Sequence, residues 1–320
     1  MADVVSILSV FTPDKFKVIA NDNNSYRILS LDGQLCLNIL IRQNKQTIQI
    51  YDLKKCDTSG SYLLKRIDEL VKKIPNIKQI QIIDASHIVT NCHDNNGELV
   101  VIDLPILQII LKGKSWYNSQ GYISSNFNHE IVYNARILQT PFKDLFPEEW
   151  IEIFNRENSR EKLNKIIAER TQELMEKNRN PKQDYNILYY SNVLANYEDY
   201  IHTNIESIEK ECEKIKEMAT ELFPHINMDL PTREFVIEIY HSIGGNFTSD
   251  DTDMCEKYKF FRTLLNTIGK VIHYNFSLTK TVRRPIAGGK TKKQRKTKNT
   301  IKKKKKNTSR GKKTKKTPKT

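Results

Sequence analysis

Two short stretches hold residue types whose spacing could do chemistry. The first is Lys54-Lys55-Cys56-Asp57-Thr58-Ser59-Gly60-Ser61-Tyr62-Leu63-Leu64. The alternating run Thr47 to Leu53 ends there, small polar residues follow, and a helical apolar spacing begins. At such a junction the first N–H groups of a helix lack intrahelical acceptors, and the positive end of the helix dipole adds to them. The amides of Thr58, Ser59, Gly60 and Ser61 could therefore hold a phosphate. The plainer use of the same residues is capping, with Asp57, Thr58 or Ser59 as N-cap. The second stretch is Trp116-Tyr117-Asn118-Ser119-Gln120-Gly121-Tyr122. Tyr117 is either a packed core aromatic or a proton donor, since a phenol of pKa about 10 can protonate a departing thiolate of pKa about 8 to 9. Asp52, just before the loop, is a carboxylate that could serve as a base, or equally a surface residue of an alternating strand.

Other groupings carry less. His87, Cys92 and His93 are close together but lack the second ligand pair that a metal site needs, so they read as loop residues and no metal is assigned. Asp94-Asn95-Asn96-Gly97 lacks the alternating ligands of a calcium loop and reads as a turn. No Gly-x-Ser-x-Gly nucleophile elbow occurs.

The elements that must position these residues follow from periodicity. From Phe16 to Ile50, β-rich runs are broken by turn residues, including Asp32-Gly33, which suits a tight hairpin. Leu63, Leu64, Ile67, Leu70 and Val71 recur at helical spacing until Pro75, and Ile77 to Asp84 alternates as a strand. The order strand, helix, strand with a short return predicts a crossover that leaves the two strands parallel. In the run that starts at Leu99 the first part could form a strand, Pro105 to Leu111 reads as a helix with Pro at its start, and Glu130 to Leu138 as a closing strand. From Pro147 the pattern turns helical, with one amphipathic helix marked by Trp150, Ile153, Phe154, Leu163, Ile166, Ile167 and Leu174. Ile201, Ile205, Ile208, Cys212, Ile215, Ala219 and Leu222 then alternate steps of four and three, a heptad seam expected to pair with the preceding helix as an antiparallel hairpin or short coiled coil. Two further helices span Arg233 to Ile243 and Asp253 to Tyr274, the latter capped by Ser249, Asp250 or Asp251.

Taken in this order, the two stretches resemble the GNAT family of acyl-CoA N-acyltransferases. Its cofactor loop, Arg/Gln-x-x-Gly-x-Gly/Ala-x-x-Leu-Leu, aligns with Lys55 to Leu64: Gly60, Leu63 and Leu64 match, Lys55 takes the Arg/Gln position and Thr58 that of the first Gly. Trp116 to Tyr122 fits the family's aromatic-Tyr-x-x-x-Gly-Phe/Tyr motif. The resemblance covers residues 16 to 140. It implies that Lys55, Thr58, Ser59, Gly60 and Ser61 bind the pyrophosphate of acetyl-CoA, that Tyr117 is a general acid, and that an amine is the acceptor. Asp52 stands in for the Glu the family often carries near that strand. Residues 16 to 50 leave no room for the two acceptor-binding helices the family usually inserts after its first strand.

Charge divides the chain sharply. Of 52 Lys and Arg, 19 lie in residues 281 to 320, which contain no Asp or Glu, so residues 1 to 280 carry 33 basic against 38 acidic groups. Nucleic-acid binding through the folded body is thereby disfavoured. The tail, free of aromatic residues, would contact nucleic acid electrostatically and without sequence preference. Five cysteines, odd in number and without CxxC spacing, predict reduced thiols and no disulfide framework. No window reaches the roughly 18 apolar residues of a membrane span. The tail and the Ile/Asn/Lys bias resemble those of proteins of nucleocytoplasmic large DNA viruses, implying an intracellular location, in the cytoplasm or nucleus of a host cell, or in a virion. The expectation is thus an α+β fold: a GNAT-like mixed sheet with flanking helices over residues 1–145, an all-α region with a hairpin over 146–280, and a disordered polybasic tail over 281–320. The expected function is acetyl-CoA-dependent N-acyl transfer. The alternative is a non-enzymatic protein that binds partners through its helices and nucleic acid through its tail.

Overall fold

The computed structural model describes residues 2–282 apart from Asp22, Asn23, Gln43, Lys45, Lys55, Phe146 and Asn246. Of the expected tail, residues 283–320 lie outside the described residues, while Thr281 and Val282 belong to the described structure. The fold is mixed α+β. A first helix, α1 (Ala2–Val10), precedes four strands, β1 (Lys17–Asn21), β2 (Ser25–Leu29), β3 (Leu35–Arg42) and β4 (Thr47–Leu53). Each pairs antiparallel with the next, as alternating apolar residues and short turns require. Gly33, at φ 94°, supplies the left-handed step of the turn from Ser30 to Gln34. Helix α2 (Gly60–Lys73) then crosses over to β5 (Gln79–Ile83), which lies parallel to β4. Leu63, Leu64, Ile67, Leu70 and Val71 form the helix face that the sheet buries.

The chain next leaves the sheet. Strands β6 (His87–His93) and β7 (Leu99–Asp103) form a separate antiparallel pair. His87, Cys92 and His93 are therefore strand residues, and Asp94 to Gly97 is the turn between the strands, closed by the Gly97 amide donating to the Asp94 carbonyl. Helices α3 (Leu104–Lys112), α4 (Trp116–Ser119) and α5 (Phe127–Gln139) follow. Asp103 caps α3, Pro105 sits in its first turn, and Gly113 ends it at φ 76°.

Helix α5 corrects the strand expected over Glu130 to Leu138. Glu130, Asn134, Ile137 and Leu138 are buried while Val132 is 72% exposed. The buried positions step by four and three, the period of a helix face. The expected single helix from Trp150 to Leu174 is two, α6 (Glu148–Glu157) and α7 (Arg160–Glu176): Asn158 ends the first, and Ser159 caps the second by accepting from the Lys162 amide. Helix α8 (Tyr185–Ala195) folds back on α7, and α9 (Tyr197–Leu222) carries the heptad seam. Helices α10 (Thr232–Ser242) and α11 (Thr252–Val271) complete the helical part, with Asp251 as the α11 N-cap. The seam's main partners are α11 and α6, not α7. Glu211 of α9 bonds Lys270 of α11 at 3.0 Å, and that ammonium lies 3.9 Å above the Trp150 ring of α6. The final strand, β8 (Ser277–Thr281), returns to pair antiparallel with β5, giving a six-stranded sheet in the order β1-β2-β3-β4-β5-β8.

Two apolar cores result. One gathers α1, α2, the inner face of the six-stranded sheet, Tyr117 and Tyr122. The other runs from Cys92 through α3, α5, α9, α10 and α11 to Ile272, so residues on both sides of 145 share it. The expectation of wholly reduced thiols is corrected: Cys36 is bonded to Cys56 and Cys92 to Cys255. The topology explains both. Cys36 on β3 lies beside the exit of β4, where the Lys54 amide donates to its carbonyl, and β6 lies against α11. Cys212 is free, and burial pushes its thiol up to about 12. Among the described residues no helix is long and apolar enough to cross a membrane.

Candidate active site at the carboxyl edge of the sheet

The parallel pair β4 and β5 keeps register from Thr47–Gln79 to Ile50–Ile82 and then separates. Beyond that point Asp52 and Leu53 pair only with β3, after a bulge at Asn38/Ile39, while Ile83 pairs with Ser277 of β8. Among the described residues β4 thus has no parallel neighbour past Ile50, at the carboxyl ends where ligands of parallel sheets usually sit.

Helix α2 begins beside this parting. Ser59 is its N-cap, accepting from the Tyr62 amide at 3.2 Å, which answers the capping question raised by the sequence. Thr58 turns its hydroxyl toward Cys56 Sγ, 3.4 Å away. Gly60 and Ser61 occupy the first turn, where amides have no intrahelical acceptor. A Cβ on Gly60 would come within 3.1 Å of Trp116 Cη2 and 3.7 Å of Leu53 Cδ2, so the absent side chain admits the indole of α4. Lys55 lies outside the described residues.

The Trp116 to Tyr122 stretch is a one-turn helix with a tight return. Ser115 Oγ accepts from the Asn118 amide at 3.3 Å while Asn118 Oδ1 accepts from the Ser115 amide at 3.0 Å, a reciprocal capping box. Gly121 at φ 87° turns the chain so that the Tyr122 amide reaches the Tyr117 carbonyl. Tyr117 is 6% exposed and packs edge-on against Trp116 and Tyr122, with ring centroids 4.8 and 6.2 Å away. Burial first, and the negative charge of Asp84 second, push its phenol well above the usual range.

Asp84 is the group that sequence reasoning missed. It follows β5 directly and is 1% exposed. Its Oδ1 accepts from the Ser86 hydroxyl at 2.7 Å, and its Oδ2 from the Tyr274 hydroxyl at 2.5 Å. Tyr274 also meets the Ser115 side chain, so hydrogen bonds lead from Asp84 to the cap of α4. Beyond Asp84 opens a cavity of about 350 Å³ that also reaches Asp103 and His87, cross-strand neighbours on β7 and β6. Burial, and then Asp84, raise the Asp103 carboxyl above its ordinary value, partly offset by the Ile106 amide it caps. The position of Asp84 at the end of a predicted parallel strand was the available signal. Tyr274, 190 residues away, gave none.

The sequence-predicted residues are brought together only in part. Ser59, Gly60 and Ser61 stand at the start of α2, where the Gly60 position faces Leu53 of β4 and Trp116, the ring neighbour of Tyr117. Asp52 takes a hydrogen bond from Asn38 Nδ2 at 3.2 Å on the sheet face opposite Leu37, Ile39 and Ile50, whereas Tyr117 packs in the core on the inner face. Among the described residues no three His, Cys, Asp or Glu side chains gather as a metal site would need. No protein-family model, curated protein or solved structure matches this chain.

Proposed function

We propose that the chain transfers an acyl group from acetyl-CoA to an amine. The observation that carries the reading is the separation of β4 from β5 after the Ile50–Ile82 pair, with the start of α2 on one side and Tyr117 close by. An extended, amide-bearing arm can bond the edge of β4 there, and the amides of Gly60 and Ser61 favour a phosphate at its far end. With its proton held firmly, Tyr117 donates a charge-assisted hydrogen bond to the sulfur as thiolate charge develops, rather than giving up the proton completely. Asp52 approaches from the other face as base to the amine. Acetyl-CoA should raise the melting temperature by mass action, and no shift at millimolar ligand would sink the reading. Tyr117→Phe should keep that shift and lower thiol release by about a hundredfold to a thousandfold, the usual loss on removing one donor to developing charge. Unchanged turnover would remove Tyr117 from the mechanism.

A second reading, partner binding through helices, is favoured by one surface. Tyr185, Leu188 and Tyr189 fall at helical spacing on the outer side of α8, with Tyr185 78% exposed.

A further inference from the structure

The cavity beyond β5 is lined by two carboxylates, with His87, opposite Asp103 on the neighbouring strand, as its one other ionisable wall. Asp84 and Asp103 both line it, and no Lys or Arg does. The donors that hold Asp84, the Ser86 and Tyr274 hydroxyls, are neutral. Asp103 spends Oδ1 on the Ile106 amide, while its Oδ2 has no hydrogen-bond partner among the described residues. Around these carboxylates stand Ile83, Val101, Pro105 and Phe276, and Asn266 of α11 adds an amide. The cavity is open to solvent, Ile83, Val101 and Phe276 each being more than a third exposed, so a ligand there would keep one side in water while its polar end meets the carboxylates.

We propose that this cavity binds a small alkylammonium ion. The ammonium would take Asp103 Oδ2 and the Asn266 carbonyl, with the Phe276 ring available to the same cation, and the alkyl chain would lie on Ile83, Val101 and Pro105. A volume near 350 Å³ corresponds to about twelve water-sized groups at about 30 Å³ each, so the seven heavy atoms of a six-carbon alkylammonium enter with room for a few waters. A guanidinium fits less well, because its planar fork needs a carboxylate with both oxygens free. A divalent metal fits less well still, since hard cations take about six oxygen ligands and no cluster of three ligating acidic, His or Cys side chains is present among the described residues. Anions are repelled. Binding needs no acyl donor, so this proposal and the acyl-transfer reading fail separately.

The test is a ligand-observed NMR titration of the full chain at low ionic strength with n-hexylammonium, 1-hexanol and hexanoate. Hexylammonium should saturate at least tenfold more tightly than hexanol, and hexanoate should not bind. Asp103→Asn keeps an acceptor for the Ile106 amide and removes the charge. It should weaken hexylammonium at least tenfold and leave hexanol unchanged. Equal affinity for ammonium and alcohol, an unaltered response in Asp103→Asn, or displacement of hexylammonium by millimolar magnesium would each overturn the proposal. The comparison of ammonium with alcohol uses the unaltered chain and decides even if the variant does not fold.

Discussion

Tyr117 and Tyr122 are both buried, and their rings touch, yet their hydroxyls have different surroundings. The Tyr122 side chain is fully buried and its hydroxyl has no hydrogen-bond partner among the described residues, although Asp68 and Lys280 lie nearby. An unmade bond on a buried hydroxyl costs about 1–3 kcal/mol. Tyr122→Phe should therefore raise the urea midpoint, with a gain of about 1 kcal/mol. A lowered midpoint would mean that the hydroxyl is hydrogen-bonded in the folded protein. Burial raises both phenols, so as pH climbs past about 10 the unfolded chain gives up these protons first and stability falls. Below that pH neither group contributes a slope, and a pH–turnover profile should show no alkaline limb from Tyr117. The sequence narrowed the cap of α2 to Asp57, Thr58 or Ser59, because capping is local chemistry, and the structure selects Ser59. Sequence alone did not show why residue 60 is glycine, since the reason is an indole 56 positions away.

Helix α9 shows what periodicity reveals about an element and what it leaves out. The four-and-three spacing marked the stripe, and Ile208, Cys212, Ile215 and Ala219 are buried along it. Which helix covers a stripe depends on chain return, and α11 does so from some fifty residues downstream. Ile215 is 1% exposed, so Ile215→Ala should cost about 2–5 kcal/mol in equilibrium unfolding. Ile201, at the half-buried start of the same seam, should cost clearly less on the same change. Equal costs would mean that the seam is covered along its whole length by something besides α11 and α6. Helix α5 was misread for a related reason. Its β-branched residues Ile131 and Val132 suggested a strand, but both are exposed, and the residues that pack are the polar Glu130 and Asn134 with Ile137 and Leu138. Glu130 is held by the Ser124 hydroxyl at 2.6 Å, and Asn134 brackets the His273 backbone through two bonds. Tertiary partners outweighed propensity there.

At the scale of the whole molecule, the parallel crossover was legible because β4, α2 and β5 are consecutive. The sixth strand was not, since β8 joins β5 only after the intervening helices, and the same return brings Tyr274 to Asp84. The distant Cys92–Cys255 bond belongs to that long-range class too. Charge is the property that composition gave directly, and it supports one further expectation. With 33 basic and 38 acidic residues up to position 280, the body repels a polyanion weakly, while the 19 basic groups from 281 onward attract it. We propose that any hold on nucleic acid resides in that segment. Its affinity for duplex DNA should then fall steeply with salt, log K against log[salt] having a slope of about −0.9 per phosphate neutralised. If half the tail's cations engage, the slope is near −9 by that relation, and affinity should not distinguish one sequence from another. Deleting residues 283–320 should abolish retention on a DNA column at low salt while leaving the melting temperature and the acetyl-CoA response unchanged. Retention that survives the deletion would place the basic surface on the folded body, against its charge balance.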